Sequence, residues 1–249
     1  MSFVIAMAGK GGTGKTTVAG MVMRYLLERG KKPILAVDAD ANSNFNEVLG
    51  LTVSHTVGEA REEMKRGADM VGMTKDQLIE MRINQCLEEA DGFDLIAMGQ
   101  PEGAGCYCAA NNLVAHFMGV LSNNYPYIVM DNEAGMEHLS RLTTKNVNIL
   151  LIVSDPSWRS IQAAKRLHDL TKQLNIVVGQ AYLIVNRVKN GLPPRTQEEI
   201  DKQGLTLAGI IPEDPLIAEF DAQGKPTFNL PADSTALQAA LQIFQQVMD

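Results

Sequence analysis

Short, nearly unbroken apolar runs recur along the chain at Phe3–Met7, Pro33–Val37, Phe93–Met98, Tyr127–Met130, Ile149–Val153, Ala181–Val185 and Leu207–Ile211. Strands buried on both faces read this way, because covering helices leave no solvated side toward which residues alternate. The stretches between them carry a helical pattern: Thr16–Arg29, Thr74–Ala90, Ala109–Leu121, Ser157–Leu174 and Thr196–Gln203, with a last helix at about Ser234–Met248. A short helix is expected at Asn44–Leu49. Strand and helix alternating in this way predict an α/β fold, a doubly wound, mostly parallel sheet of about seven or eight strands with helices on both faces. Gly30 suits the cap of the first helix, and Pro33 the start of the next strand. No linker interrupts the pattern, so one domain is expected over residues 1–249. The single shift in composition, at about 57–90, is polar and Met-rich, and is expected to be a helical insertion.

Composition narrows the class. The 249 residues are 45% hydrophobic and 20% charged, a globular balance that excludes disorder. No run of apolar residues is long enough to span a bilayer. The N-terminal segment lacks a basic n-region and reads as a first strand, not a signal peptide. The net charge is 22 − 29 = −7. That argues against nucleic acid or an anionic membrane as partner, since both demand clustered Lys and Arg. The last helix has neither, which counts against a membrane-binding tail. Three cysteines do not make a disulfide scaffold and, without an export signal, suggest the reducing cytoplasm.

The first strand runs into Gly9-Lys10-Gly11-Gly12-Thr13-Gly14-Lys15-Thr16-Thr17, followed by a helix. This fits G-x-x-x-x-G-K-[ST] in the strand–loop–helix setting the motif requires. Glycines let backbone N–H groups wrap phosphates without Cβ clashes, and the helix N-terminus adds its positive dipole end. Lys15 brings a charge to the β/γ oxygens of a nucleotide, and the Thr16 hydroxyl can hold Mg²⁺. Two further strands end in carboxylates, Asp38-Ala39-Asp40 and Asp131, where ligands of open α/β sheets bind. An apolar strand finishing in Asp131 is the Walker B arrangement, which bonds magnesium waters. Asp38 and Asp40 could also serve as caps for the short helix that follows.

Lys10 is not required by phosphate binding. With it, the loop resembles the deviant Walker A family, which includes MinD/ParA positioning ATPases, the nitrogenase iron protein and nickel-insertion ATPases. The resemblance implies ATP hydrolysis, with ATP/ADP and Mg as ligands. It implies that Lys10 reaches across a dimer to the partner's phosphates, that Asp40 is catalytic, and that Asp38 belongs to the magnesium shell. Gly135 falls where the family senses the γ-phosphate. Asn186, Arg187, Pro212 and Glu213 match its adenine-contacting segments, although Asn, Pro and Glu here could also be turn formers.

Cys106-Tyr107-Cys108 follows a Gly-rich loop and precedes a helix. C-x-C is too short for a relaxed disulfide, and two thiols this close read as chelators. Two thiolates are half a tetrahedral or square-planar set, so a two-fold dimer would complete it. Cys86 reads as core. E-G-x-G-C-Y-C together with D-N-E-A-G-x-E-H narrows the resemblance to the CooC-type and AcsF-type nickel-insertion ATPases, which mature carbon monoxide dehydrogenase and acetyl-CoA synthase. That resemblance implies a homodimer stabilised by nucleotide and metal, Ni (or Zn in its place) at Cys106 and Cys108, and one of those apoenzymes as acceptor. It leans toward acetyl-CoA synthase. A nucleotide-dependent metal sensor would share every residue discussed. An iron-protein-like reductase would want a cysteine within Asp131–Gly135, and none is there.

Overall fold

The computed structural model describes residues 2–40, 44–65, 74–99, 119, 121, 123–132, 146–174 and 176–248. Among these, eight strands form one sheet: β1 (Phe3–Gly9), β2 (Ile34–Ala39), β3 (Leu87–Ala90), β4 (Phe93–Ala97), β5 (Tyr127–Asn132), β6 (Asn146–Ser154), β7 (Val177–Val188) and β8 (Leu207–Pro212). Their order is β3-β4-β2-β5-β1-β6-β7-β8. Every pairing except β3 with β4 is parallel. The described helices are α1 (Lys15–Glu28), α2 (Phe45–Leu49), α3 (Val57–Lys65), α4 (Lys75–Gln85), α5 (Trp158–Gln173), α6 (Pro194–Gln203), α7 (Pro215–Ala222) and α8 (Thr235–Met248). None is long and apolar enough to cross a membrane.

The unbroken apolar runs are explained by two core layers, one on each face. On β1, Val4, Ala6 and Ala8 join one layer while Ile5 and Met7 join the other. The first layer packs against Ala60 of α3, Ile83 of α4, Ile161 and Leu167 of α5, and Ile200 of α6. The second packs against Val18, Val22 and Leu26 of α1, Phe45 of α2, and Leu237 and Phe244 of α8. Burying each Val, Leu, Ile, Phe or Met among these contributes about 1.5–3 kcal/mol, so neither face can be stripped cheaply. Cys86 is fully buried in the first layer, as expected of a core residue.

Helix ends follow local chemistry. Gly30, at φ 67°, closes α1, with Gly30 N–H donating to the Leu27 carbonyl and Lys31 N–H to that of Leu26, each at 2.9 Å. The Ser157 side chain caps α5 by accepting from Ser160 N–H.

The expected helix Thr74–Ala90 needs correction. It stops at Gln85, and Leu87–Ala90 is a strand antiparallel to β4. Ala90 faces Phe93 across Asp91-Gly92, and Gly92 sits at φ 84°. Asp-Gly between two strands is a hairpin signal that the polar composition of Leu87-Glu88-Glu89 masked. β7 is also far longer than Ala181–Val185, because its first residues pair with β6 alone and need no apolar outer face. The expected helix Ala109–Leu121 lies almost wholly outside the described residues.

The topology brings the chemistry together. β1 lies between β5 and β6, and β2 pairs with β5 on its other side. In register, Asp131 pairs with Met7 of β1 and with Asp38 of β2. Two acids and the Gly-rich loop therefore meet at the carboxyl ends of adjacent strands, where such sheets bind ligands.

Candidate active site

The loop between β1 and α1 keeps its shape through its glycines. A Cβ on Gly9 would collide with the backbone carbonyl of Val153 on β6. Gly14 caps α1 at φ 87°, a left-handed conformation that disfavours side chains. Thr13 is fully buried, and its hydroxyl donates to the Lys10 carbonyl at 2.9 Å. Lys15 is the first residue of α1 and is 8% exposed. It lines a cavity of about 890 Å³ together with Gly11, Gly12, Thr16, Thr17 and Asp40. That volume lies within the roughly 300–1,000 Å³ range of small-molecule sites. Lys10 is exposed and is not part of this lining.

The two β-strand acids are buried. Burial pushes Asp38 up to about 7, and the nearby Asp131 charge raises it further against hydrogen bonds that pull it down. Those bonds come from Phe45 N–H at 2.9 Å and Asp40 N–H at 3.1 Å, so Asp38 also anchors the start of α2. Burial likewise lifts Asp131 to about 6, opposed by a hydrogen bond from Thr16 and the charge of Lys15. Asp131 Oδ1 has no hydrogen-bond partner among the described residues. A buried, unpaired carboxylate oxygen beside the Thr16 hydroxyl fits a Mg²⁺ with its waters, because an orphaned acceptor in the interior is costly unless a ligand satisfies it. Thr16, Asp131 and Asp38 would hold that ion, which would offset phosphate charge.

These acids have a consequence for stability. Both titrate above 3.8 in the folded protein, so between about pH 4 and 7 the native state holds protons that the unfolded chain has released. Without nucleotide or Mg²⁺, stability falls as pH rises through that window. Asp38→Asn is expected to flatten the fall. Urea midpoints at pH 4.5 and 7.5 check this, and an unaltered difference between them in the variant would remove Asp38 as its source.

A second cavity, of about 390 Å³, adjoins the first and is lined by Asn186, Pro212, Glu213 and Ile217. Both cavities share Thr17, Val48, Arg187, Asp221 and Thr227. A phosphate loop opening into a side cavity lined by Asn186, Pro212 and Glu213 suits a nucleotide. Glu213 is ion-paired with Lys189 at 3.1 Å on the surface. Asp214 accepts from Leu216 N–H, Ser234 Oγ and Ala236 N–H, tying the starts of α7 and α8 to one carboxylate. Burial pushes Asp214 up, but these bonds outweigh it and hold the group below its ordinary range.

Asp214, Asp221 and Thr227 were not singled out from the sequence. The Asp-Pro at 214–215 was a readable helix start; Thr227 carried no signal, yet its buried Oγ1 has no partner among the described residues. Cys106, Cys108 and Gly135 lie outside the described residues. Among those described, no group of three His, Cys, Asp or Glu side chains could hold a metal ion.

Fold, loop and acids together define a P-loop ATPase. The chain belongs to the CobQ/CobB/MinD/ParA nucleotide binding domain family, which it matches over residues 4–228. It is 38% identical over 254 residues to an uncharacterized ATP-binding protein of Methanocaldococcus jannaschii, covering 99% of this chain and 98% of the relative. It is 32% identical over 260 residues to the carbon monoxide dehydrogenase accessory protein CooC of Rhodospirillum rubrum, covering 95% of each. Its fold matches a ParA family ATPase of Chlorobium tepidum with a TM-score of 0.73 at 20% identity, over 97% of this chain and 98% of that one. It also matches MinD of Pyrococcus horikoshii, solved with Mg-ADP, with a TM-score of 0.69 at 21% identity, over 100% and 97% of the chains. The protein is an ATPase, and ATP or ADP with Mg²⁺ fits its site.

Proposed function

We propose that this ATPase binds one metal ion between two copies of the chain and couples ATP hydrolysis to delivering it to an apo-metalloenzyme. Acetyl-CoA synthase is the acceptor favoured, with carbon monoxide dehydrogenase next. The observation that carries the reading is Cys106-Tyr107-Cys108, two thiols one residue apart in a chain with three cysteines. Support comes from the 32% identity to a protein named as a carbon monoxide dehydrogenase accessory protein. Two thiolates from each of two chains would make a four-sulfur set suited to Ni²⁺ or Zn²⁺, and two-fold symmetry would bring them together.

In this reading Lys15 and the loop from Gly9 to Thr17 hold the phosphates. Asp40 orients the attacking water, and Thr16 with Asp38 and Asp131 holds Mg²⁺. Gly135 senses the γ-phosphate, while Pro212, Glu213 and the Asn186 region border the base. The exposure of Lys10, outside its own cavity, suits a lysine that serves the partner's nucleotide. Hydrolysis would loosen the dimer and split the four thiolates into two weak pairs, releasing the metal to the acceptor.

The test uses purified apo-acetyl-CoA synthase, Ni²⁺ and ATP. The wild-type chain is expected to activate the enzyme, and the Cys106→Ser, Cys108→Ser double variant to fail while still hydrolysing ATP. Equal activation by both proteins would refute delivery through the cysteine pair. Activation of neither would remove this enzyme as acceptor, and the same assay with apo-carbon monoxide dehydrogenase would then decide between delivery and sensing.

A further inference from the structure

Beside the loop, β7 ends in a break of register with β8 between Val185 and Val188. The two residues in the break are Asn186 and Arg187, and Arg187 takes φ 58°, a left-handed conformation rare outside glycine. Such irregularities re-aim side chains next to active sites. Both side chains here are aimed at the phosphate loop. Asn186 Nδ2 donates to the Thr13 carbonyl at 2.9 Å, and Arg187 Nη1 donates to the Gly12 carbonyl at 2.9 Å. The backbone N–H of Arg187 donates to Asn186 Oδ1 at 2.9 Å, which fixes the orientation of the amide. Asn186 is 6% exposed and presses so closely on the loop that a Cβ on Gly14 would lie 2.5 Å from its nitrogen.

We infer that Asn186 and Arg187 are positioning residues that hold the phosphate loop open by its carbonyls, ahead of and apart from any contact with the base. The physical reason lies in the peptide unit. A trans peptide is planar, with its C=O and N–H on opposite sides. Pinning the Thr13 carbonyl to Asn186 therefore turns the Gly14 N–H away from β7, and pinning the Gly12 carbonyl to Arg187 leaves the Thr13 N–H turned inward to the Lys10 carbonyl, to which it donates at 3.4 Å. Both carbonyl dipoles are also kept from facing an incoming polyphosphate. A Gly14 N–H preset in this way costs no reorganisation when the anion arrives. The glycines permit this backbone; the two β7 residues select it. An amide spent on the loop has less capacity left for the base: one Nδ2 hydrogen goes to the Thr13 carbonyl and one Oδ1 lone pair to Arg187 N–H.

The discriminating ligand is inorganic tripolyphosphate, which has the phosphates of ATP but neither base nor ribose. Binding of tripolyphosphate and of ATP to the full chain would be measured by calorimetry for wild type, Arg187→Ala and Asn186→Asp, alongside amide hydrogen exchange over residues 9–17 without ligand. Asn186→Asp removes the Nδ2 donor but keeps an oxygen for Arg187 N–H. Both variants are expected to weaken both ligands by about tenfold, about 1.4 kcal/mol, and to speed exchange in the ligand-free loop. Loss of ATP affinity with tripolyphosphate unaffected would overturn the inference in favour of a base contact. Unchanged exchange in the ligand-free loop would overturn it in favour of direct contact with phosphate. Arg187 is exposed, so its variant carries the test if buried Asn186 tolerates no change. Wild-type protein that bound neither ligand would instead count against the ATPase site itself.

Discussion

Lys15→Ala is expected to reduce ATP hydrolysis by at least ~10³-fold and to weaken nucleotide binding, because it removes a preset, largely buried positive charge from the phosphate loop. Lys15 is 8% exposed at the start of α1, and its charge also lowers the Asp131 pKa. Removing it would leave the phosphates without that charge and take from Asp131 the cation that holds its carboxyl down. Mg²⁺ alone would then bridge protein and nucleotide. Steady-state phosphate release and fluorescent-nucleotide binding check the two parts separately. Hydrolysis within tenfold of wild type would show that Lys15 does not contact the reacting phosphates.

The second large effect concerns Asp40. Asp40→Ala is expected to slow turnover by ~10²–10⁴-fold while ATP still binds, since a group that orients or deprotonates the attacking water acts only during reaction. Its surroundings favour that division. Asp40 lines the phosphate cavity and is only partly buried, and its backbone N–H donates to Asp38 Oδ1. The neighbouring Asp38 differs: it is fully buried, bonds α2, and should cost both binding and stability when replaced by Ala. Single-turnover hydrolysis with prebound ATP separates the roles. Normal turnover in the Asp40 variant would move the water-orienting role elsewhere.

What could be read without coordinates was whatever is local in the chain. The central double-sided strands, the phosphate loop, the acid at the end of β5 and the Gly30 stop each rest on a few consecutive residues and stand where expected, whereas β7 runs beyond its apolar stretch and β8, at the sheet edge, leaves Ile210 exposed. The antiparallel β3 was missed although Asp91-Gly92 signalled it, because the flanking Glu88-Glu89 reads as solvated helix. The brace on the loop was beyond reach for a different reason: Asn186 and Thr13 lie 173 positions apart, and nothing at either end marks the other. The pairing of Asp131 with Asp38 is likewise a product of β5 lying beside β2, an order that only the assembled sheet fixes. Residues such as Thr227 become noticeable only when a buried oxygen is found without a partner beside a cavity.

The central claim, a metal shared by two chains through Cys106 and Cys108, is tested most directly by the stoichiometry of Ni²⁺ binding in equilibrium dialysis with ATP present. A symmetric site predicts one ion for two chains, about 0.5 per chain, abolished in the Cys106→Ser, Cys108→Ser variant and unchanged in Cys86→Ser. ATP should tighten the metal, and the metal should tighten ATP by the same factor. One tightly held ion per chain, or undiminished binding in the double variant, would contradict the account.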